Sequence, residues 1–218
     1  MDYCQMLLDA GMKMLASGLT VETWGNISIR DPESGLIYVT PSGMPYSSLH
    51  KEDIVVMNSS FEVVEGFRRP TIEHELHIRL LNRRKDINAI IHTHPVYSQV
   101  FALLHEDIPA VIDEAAQVFA GPVKCAEYAL PGSGELAENV DKAMGDTFAC
   151  LMANHGAVCM GADIDAAFKA CTVLEMTARI YYMARCIGTP VPLKDENIKI
   201  MRSFALNQYG QVGQTAGQ

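Results

Sequence analysis

The sequence predicts an α/β protein, a three-layer α/β/α sandwich around a central, mostly antiparallel sheet. Three observations carry that reading. Short runs rich in Ile, Val and Thr are interspersed with stretches of helical periodicity, and the two do not alternate strictly as a doubly wound sheet would require. A chain of 218 residues with 49% hydrophobic composition can bury roughly 70% of its unfolded surface in one core. No repeat, low-complexity tract or linker divides it, so residues 1–218 are expected to form a single domain, with a flexible polar tail from about residue 205 to 218.

The elements follow in order. Leu7, Leu8, Met12, Met14 and Leu15 fall at mixed helical spacings and end at Gly18, a helix stop. GNISIR (25–30) and GLIYVT (35–40) are β-rich runs separated by the turn-forming DPESG, which reads as a hairpin. DIVVMN (53–58) is a third strand after the turn-like PSGMPYSSL. Pro70-Thr71 opens a helix with Thr71 as N-cap and Ile72, Leu76 and Leu80 on one face. INAIIHTHP (87–95) is a buried strand ending in Pro95, and FACLMANHG and GAVCMG are paired apolar runs around Gly156. Residues 164–187 read as one long helix closed by Gly188-Thr189-Pro190. The final NQYGQVGQTAGQ has too few apolar residues to join a core.

Composition narrows the function classes. The charge is −9, with 17 basic against 26 acidic residues, and basic runs are confined to Arg68-Arg69 and Arg83-Arg84-Lys85. A nucleic-acid or anionic-membrane surface needs a clustered positive face, so no nucleic acid and no membrane are expected as partners. The six cysteines are irregularly spaced with no CxxC pair and read as small buried hydrophobes in a reducing compartment. Asp2 and Asp9 break the pattern of a signal peptide, and no stretch reaches the ~18 uninterrupted apolar residues of a spanning helix. A cytoplasmic location is expected.

Seven histidines are present, in unequal settings. His92 and His94 are two apart on a strand, where a period of two sends both imidazoles to one face and the strand gives rigid backing for a metal. His155, just before Gly156, can be turned toward the same spot, and three neutral imidazoles leave positions open for a substrate. The alternative is a strand end that merely reaches water. In HELH, residues 74–77, the histidines are three apart rather than the four of HExxH, so His74 and His77 read as solvent-facing or helix-packing. His50 and His105 stand beside loop charges and read as surface residues. Glu73, in the first helical turn, is either a helix-start stabiliser or an acid–base group. The glycine turns TWGNIS and TPSG offer backbone N–H groups near Asn26, Thr40 and Ser42, a cradle for an anion that hairpin turns also resemble.

Taken in order, GNIS (25–28), TPSG (40–43), the PxxE of Pro70 to Glu73, HTHP (92–95) and NHG (154–156) resemble the class II aldolase/adducin family, most closely its branch that cleaves L-fuculose 1-phosphate. The resemblance runs from about residue 4 to residue 190. It implies the three-layer fold and a C4 homotetramer with sites between subunits. By the same resemblance His92, His94 and His155 match ligands of one Zn2+ per subunit, with Mn2+ or Co2+ as other divalent choices. Glu73 matches the residue that exchanges a proton with the enediolate carbon. Asn26, Ser42, Gly43 and Thr71 match the substrate phosphate pocket, with Thr23 as an addition. Ile72 departs from it, standing where these enzymes have a second serine. Asp113 departs too, standing where the branch carries a tyrosine that helps protonate the aldehyde-side oxygen. Tyr209 matches a C-terminal tyrosine that closes over the site.

The implied function is a zinc-dependent aldolase, a lyase of carbohydrate metabolism that cleaves a ketose 1-phosphate to dihydroxyacetone phosphate and a small aldehyde. Two alternatives reuse the enediolate: a 3-oxo sugar acid decarboxylase and a pentulose-phosphate 4-epimerase, the latter disfavoured because its branch has aspartate where Glu73 stands. A third, a non-catalytic adducin-like module, is disfavoured by the three histidines and Glu73.

Overall fold

A computed structural model describes residues 1–209 and places one eight-stranded sheet between two helical layers. The strands are β1 (Asn26–Arg30), β2 (Ile37–Val39), β3 (Val55–Met57), β4 (Val63–Glu65), β5 (Ala89–Thr93), β6 (Lys124–Ala126), β7 (Ala149–Met152) and β8 (Gly156–Gly161). Their order across the sheet is β4-β3-β2-β1-β5-β8-β7-β6. The sheet is mixed: β6 runs parallel to β7, while the other neighbours pair antiparallel. The β6–β7 pair is where the sheet departs from the expected antiparallel arrangement. The parallel pair has a local cause, because α5 (Gly134–Met144) lies between β6 and β7 in the chain and supplies the crossover that parallel strands need.

Alternation along the strands sorts side chains into two cores. Ile27, Ile29, Ala89, Ile91, Leu151 and Cys159 face α1 (Tyr3–Ala16), α3 (Val96–Leu104), α4 (Asp113–Phe119) and α6 (Ile164–Ile187). Ile37, Val55, Ile90, Cys150 and Val158 face the opposite layer, α2 (His74–Arg83) and α5. Helix α6 has the bounds expected from its periodicity, and α1 stops at Ser17-Gly18 with Gly18 in the left-handed region, φ +66°.

Several expectations need correction. Thr71 is not the N-cap of α2, which begins at His74 with Glu73 in the cap position. The Thr71 N–H is committed to the Thr40 carbonyl at 3.0 Å, and its Oγ1 accepts the Glu73 N–H at 3.3 Å, so residues 71–73 form a docking turn. A helix α7 (Asp195–Asn207) packs on α4, so residues 205–207 of the expected tail are helical; residues 210–218, where the rest of that expectation falls, lie outside the described part. Cys150, Cys159 and Cys171 are buried and Cys4 and Cys125 half-buried, but Cys186, near the end of α6, is exposed. Among the described residues no helix is long and apolar enough to cross a membrane.

Candidate active site

The site grows from the antiparallel pairing of β1 and β5, where Asn26 lies directly opposite His92. Their side chains therefore share the face covered by α2, and Glu73 comes down onto that face from the helix start. His94 lies one residue beyond β5 rather than on it, with its backbone N–H donating to the Leu19 carbonyl at 2.9 Å. His155 follows Asn154, which holds the left-handed conformation at φ +56° and turns β7 into β8. The three rings converge, with centroids 4.6 Å apart for His92 and His94, 4.8 Å for His92 and His155, and 5.2 Å for His94 and His155. One ligand atom from each lies within 4.8 Å of the others.

Two glycines permit this convergence. A Cβ on Gly156 would stand 2.4 Å from the Thr93 carbonyl oxygen and 3.2 Å from His92 Cε1. A Cβ on Gly25, already at φ +77°, would stand 2.7 Å from the His92 carbonyl oxygen.

Burial makes the cluster neutral and electron-rich. Loss of hydration pushes His92 down to about 4 and His94 to about 3, and it lowers His155 as well. His92 Nδ1–H donates to the Ala157 carbonyl at 2.9 Å, which leaves its Nε2 as a lone pair. That lone pair sits 2.9 Å from His94 Nε2 and 3.2 Å from Glu73 Oε2. Glu73 Oε1 lies 3.5 Å from His155 Nε2, and neither Glu73 Oε1 nor His155 Nδ1, both buried, has a hydrogen-bond partner. His92 Nε2 and Glu73 Oε2 are then two acceptors 3.2 Å apart, a repulsive contact that a cation between them relieves. The donor set fits a divalent ion held by His92, His94 and His155 with open positions beside Glu73.

Glu73 is only 3% exposed, and its side chain makes no capping hydrogen bond. Its carboxylate therefore caps no backbone N–H of α2 and is turned instead toward the histidines. Asn26 Nδ2 donates to its Oε2 at 2.8 Å, and the remaining oxygen faces the histidines.

A cavity of about 410 Å³ opens over this floor, with Asn26, Ser42, Gly43, Thr71, Thr23 and Ile72 on its walls. The TPSG loop is stitched to the helix start by Thr71 N–H to the Thr40 carbonyl and Ser42 N–H to the Arg69 carbonyl, both 3.0 Å. Thr40 is a structural member of that stitch, its Oγ1 accepting the Ile27 N–H at 3.1 Å. Asn26 is more committed than a phosphate donor need be, since its amide already bonds both Glu73 and His77. Asp113, exposed at the start of α4, and Tyr209, packed edge-on against Phe204, do not line the cavity of their own chain.

Two residues of the site escaped the sequence reading. His77, read as solvent-facing or helix-packing, is buried and also hydrogen-bonded to Asn26 within the site, and its spacing of four from Glu73, which puts both on one helical face, was the available signal. Trp24 lines the cavity mouth with its ring stacked near His94, centroids 6.3 Å apart. His74, by contrast, only donates from Nδ1 to the Thr71 carbonyl at 2.8 Å, while His50 and His105 are exposed as expected.

Comparison with known proteins agrees with this geometry. The sequence profile of the Class II Aldolase and Adducin N-terminal domain matches residues 5–182. The chain is 41% identical over 203 residues to the 5-deoxy-D-ribulose 1-phosphate aldolase of Bacillus thuringiensis serovar kurstaki, covering 92% of this chain and 93% of that one. It is 34% identical to the 5-methylthioribulose-1-phosphate/5-deoxyribulose-1-phosphate aldolase of Rhodospirillum rubrum, covering 91% of this chain and 89% of the other. A solved L-fuculose 1-phosphate aldolase superposes with a TM-score of 0.90 at 40% identity, over 93% of this chain and 95% of that one. A profile match across most of the sequence, relatives similar over nearly their whole length, and a shared backbone leave one assignment: this chain belongs to the class II aldolase and adducin N-terminal domain family.

Proposed function

We propose that the protein is a metal-dependent aldolase that cleaves a deoxy-ketose 1-phosphate, such as 5-deoxyribulose or L-fuculose 1-phosphate, to dihydroxyacetone phosphate and a small aldehyde. The observation that carries the reading is the convergence of three neutral imidazoles and one buried carboxylate on the floor of a cavity walled by Ser42, Gly43 and Thr71. His92, His94 and His155 would hold the ion, for which zinc is the choice that three imidazoles with an open position favour. When bound, the ion supplies the electron sink that breaking a carbon–carbon bond beside a ketone requires.

The rest falls to the chain. Ser42, Gly43 and Thr71, with the spare N–H of Asn26, take the phosphate and so set which substrate carbon reaches Glu73. The C4 hydroxyl gives its proton to solvent, the C3–C4 electrons move toward C2 and its oxygen, and Glu73 takes up one proton and delivers it to C3, so the whole reaction is proton-neutral. Burial of Glu73 keeps bulk water from competing for that transfer. Trp24, 56% exposed on the cavity wall, is an apolar surface suited to a substrate end without a hydroxyl. We also propose a homotetramer in which Tyr209 serves a neighbouring subunit's site.

The test is dihydroxyacetone phosphate release, read through NADH oxidation by a coupling dehydrogenase. Release from the two esters, lost on dialysis against chelator and restored by zinc, is expected. Carbon dioxide release from a 3-oxo acid, with no dihydroxyacetone phosphate from either ester, would overturn the reading in favour of a decarboxylase.

A further inference from the structure

Behind Glu73 lies a buried chain of hydrogen bonds that leads away from the cavity. Asn26 Nδ2 contacts Glu73 Oε2 at 2.8 Å, Asn26 Oδ1 contacts His77 Nε2 at 2.6 Å, and His77 Nδ1 contacts Ser28 Oγ at 2.7 Å. All four residues are buried. The geometry is written into the elements: Asn26 and Ser28 are two apart on β1 and share a face, while Glu73 and His77 are four apart at the start of α2.

Each proton in the chain is dictated by the one before it. An ionised carboxylate only accepts, so Asn26 must turn its NH2 toward Glu73 and its carbonyl toward His77. His77 must then carry its proton on Nε2, and its bare Nδ1 must accept from the Ser28 hydroxyl. The opposite tautomer would pull the Asn26 NH2 toward His77 and aim the Asn26 carbonyl at the carboxylate, acceptor against acceptor. Burial pushes the His77 pKa down to about 3, so the ring is neutral and both nitrogens keep these separate roles.

We propose that His77 is a positioning residue for Glu73: by donating from Nε2 to Asn26 Oδ1 it fixes which end of the Asn26 amide meets the carboxylate. Glu73 is thereby held at one oxygen while the other stays free for the proton it transfers. The inference rests on the reading of Glu73 as the acid–base group. His77 touches neither the substrate cavity nor the candidate ion, so its influence reaches the chemistry only through Asn26 and Glu73.

The experiment follows a half-reaction. Zinc-loaded protein is given dihydroxyacetone phosphate in D2O without aldehyde, and exchange of one carbon-bound hydrogen is followed by proton NMR, beside full aldol kinetics and the zinc content of every variant. Wild type is expected to exchange and Glu73→Gln to stop exchanging. His77→Leu is expected to slow exchange and kcat about 10- to 100-fold, as for a misplaced catalytic group, with KM and zinc content nearly unchanged. His77→Gln, which keeps an N–H donor toward Asn26, is expected to recover most of the rate. In the Glu73→Gln background, His77→Leu is expected to add less than about threefold to the loss of residual kcat, because both changes disable one unit. If His77→Leu fails to fold, His77→Met makes the same comparison with an unbranched side chain. Wild type that does not exchange overturns the aldolase reading and the relay with it. Wild type that exchanges overturns the relay alone in three cases: His77→Leu matches it, His77→Gln is as slow as His77→Leu, or the two losses multiply.

Discussion

At the scale of single residues, Ile72 carries the sharpest prediction about specificity. It lines the cavity beside Thr71, 57% exposed, and presents no donor to the phosphate proposed to bind there. A hydrogen bond to a charged group contributes about 1.5–3 kcal/mol, so Ile72→Ser is expected to lower KM for a phosphorylated ketose by about 10- to 100-fold and to leave the free sugar unchanged. Equal effects on both substrates would remove Ile72 from the phosphate site. His77 makes a different prediction, about stability. Its pKa falls from the ordinary 6.5 to about 3 on folding, so between those values the unfolded chain takes up a proton that the folded ring refuses. Stability from this group is whole above about pH 6.5 and declines as pH falls toward 3, by up to about 1.4 kcal/mol per pH unit. Unfolding free energies of His77→Gln and wild type, measured from about pH 6 to pH 4, should differ in slope by as much as one proton, with the variant shallower; parallel lines would contradict a neutral buried ring. His92, His94 and His155 could be read from spacing and a following glycine. For His77 the only signal was its spacing of four from Glu73, and that fits an ordinary packed helix until β1 is known to lie beneath it.

At the scale of elements, α3 is the clamp that joins the two turns carrying His94 and His155. It starts directly after His94-Pro95, and the Glu175 carboxylate of α6 accepts the N–H groups of Tyr97 and Ser98 and the Ser98 hydroxyl, each at 2.8 Å. One turn on, Gln99 Nε2 donates to the His155 carbonyl at 2.9 Å, and near the end the Ala102 carbonyl accepts the Asn154 N–H at 3.1 Å. Glu175→Ala leaves those N–H groups without a partner, and a stability loss of about 1–3 kcal/mol is expected in urea denaturation, with faster metal loss on dialysis. Unchanged metal retention at lowered stability would confine Glu175 to capping. The sequence showed long periodic elements such as α6 and the buried strands β5, β7 and β8, where pattern is strong. It hid β4, whose three residues are all exposed, and β6, whose three residues take their identity from pairing with β7. It also hid α7, whose sparse apolar residues are explained by the surface of α4 rather than by a core of their own.

At the scale of the whole molecule, the far half of α6 and the outer side of α7 leave Ile180, Met183, Ile187, Ile200 and Phe204 in contact with solvent in a single chain. Their burial between subunits is the expected arrangement, and sedimentation should find a symmetric homotetramer. A fully active monomer would dismiss both the tetramer and the role given to Tyr209. The close approach of Gly156 to Thr93 has a bearing on how such a molecule can change over time. At that point the hydrogen-bonded middle of the sheet and the histidine cluster share one crowded volume, so a substitution there separates β5 from β8 and disperses the donors together. Chemistry and foldability are thus inherited as a single trait on this side of the cavity. The facing wall is free of that bond: Trp24 and Ile72 lie outside the strands and expose their side chains, so they can be exchanged without cost to the sheet. New substrate preferences are expected to accumulate on that wall, while the reaction itself stays as fixed as the backbone beneath it.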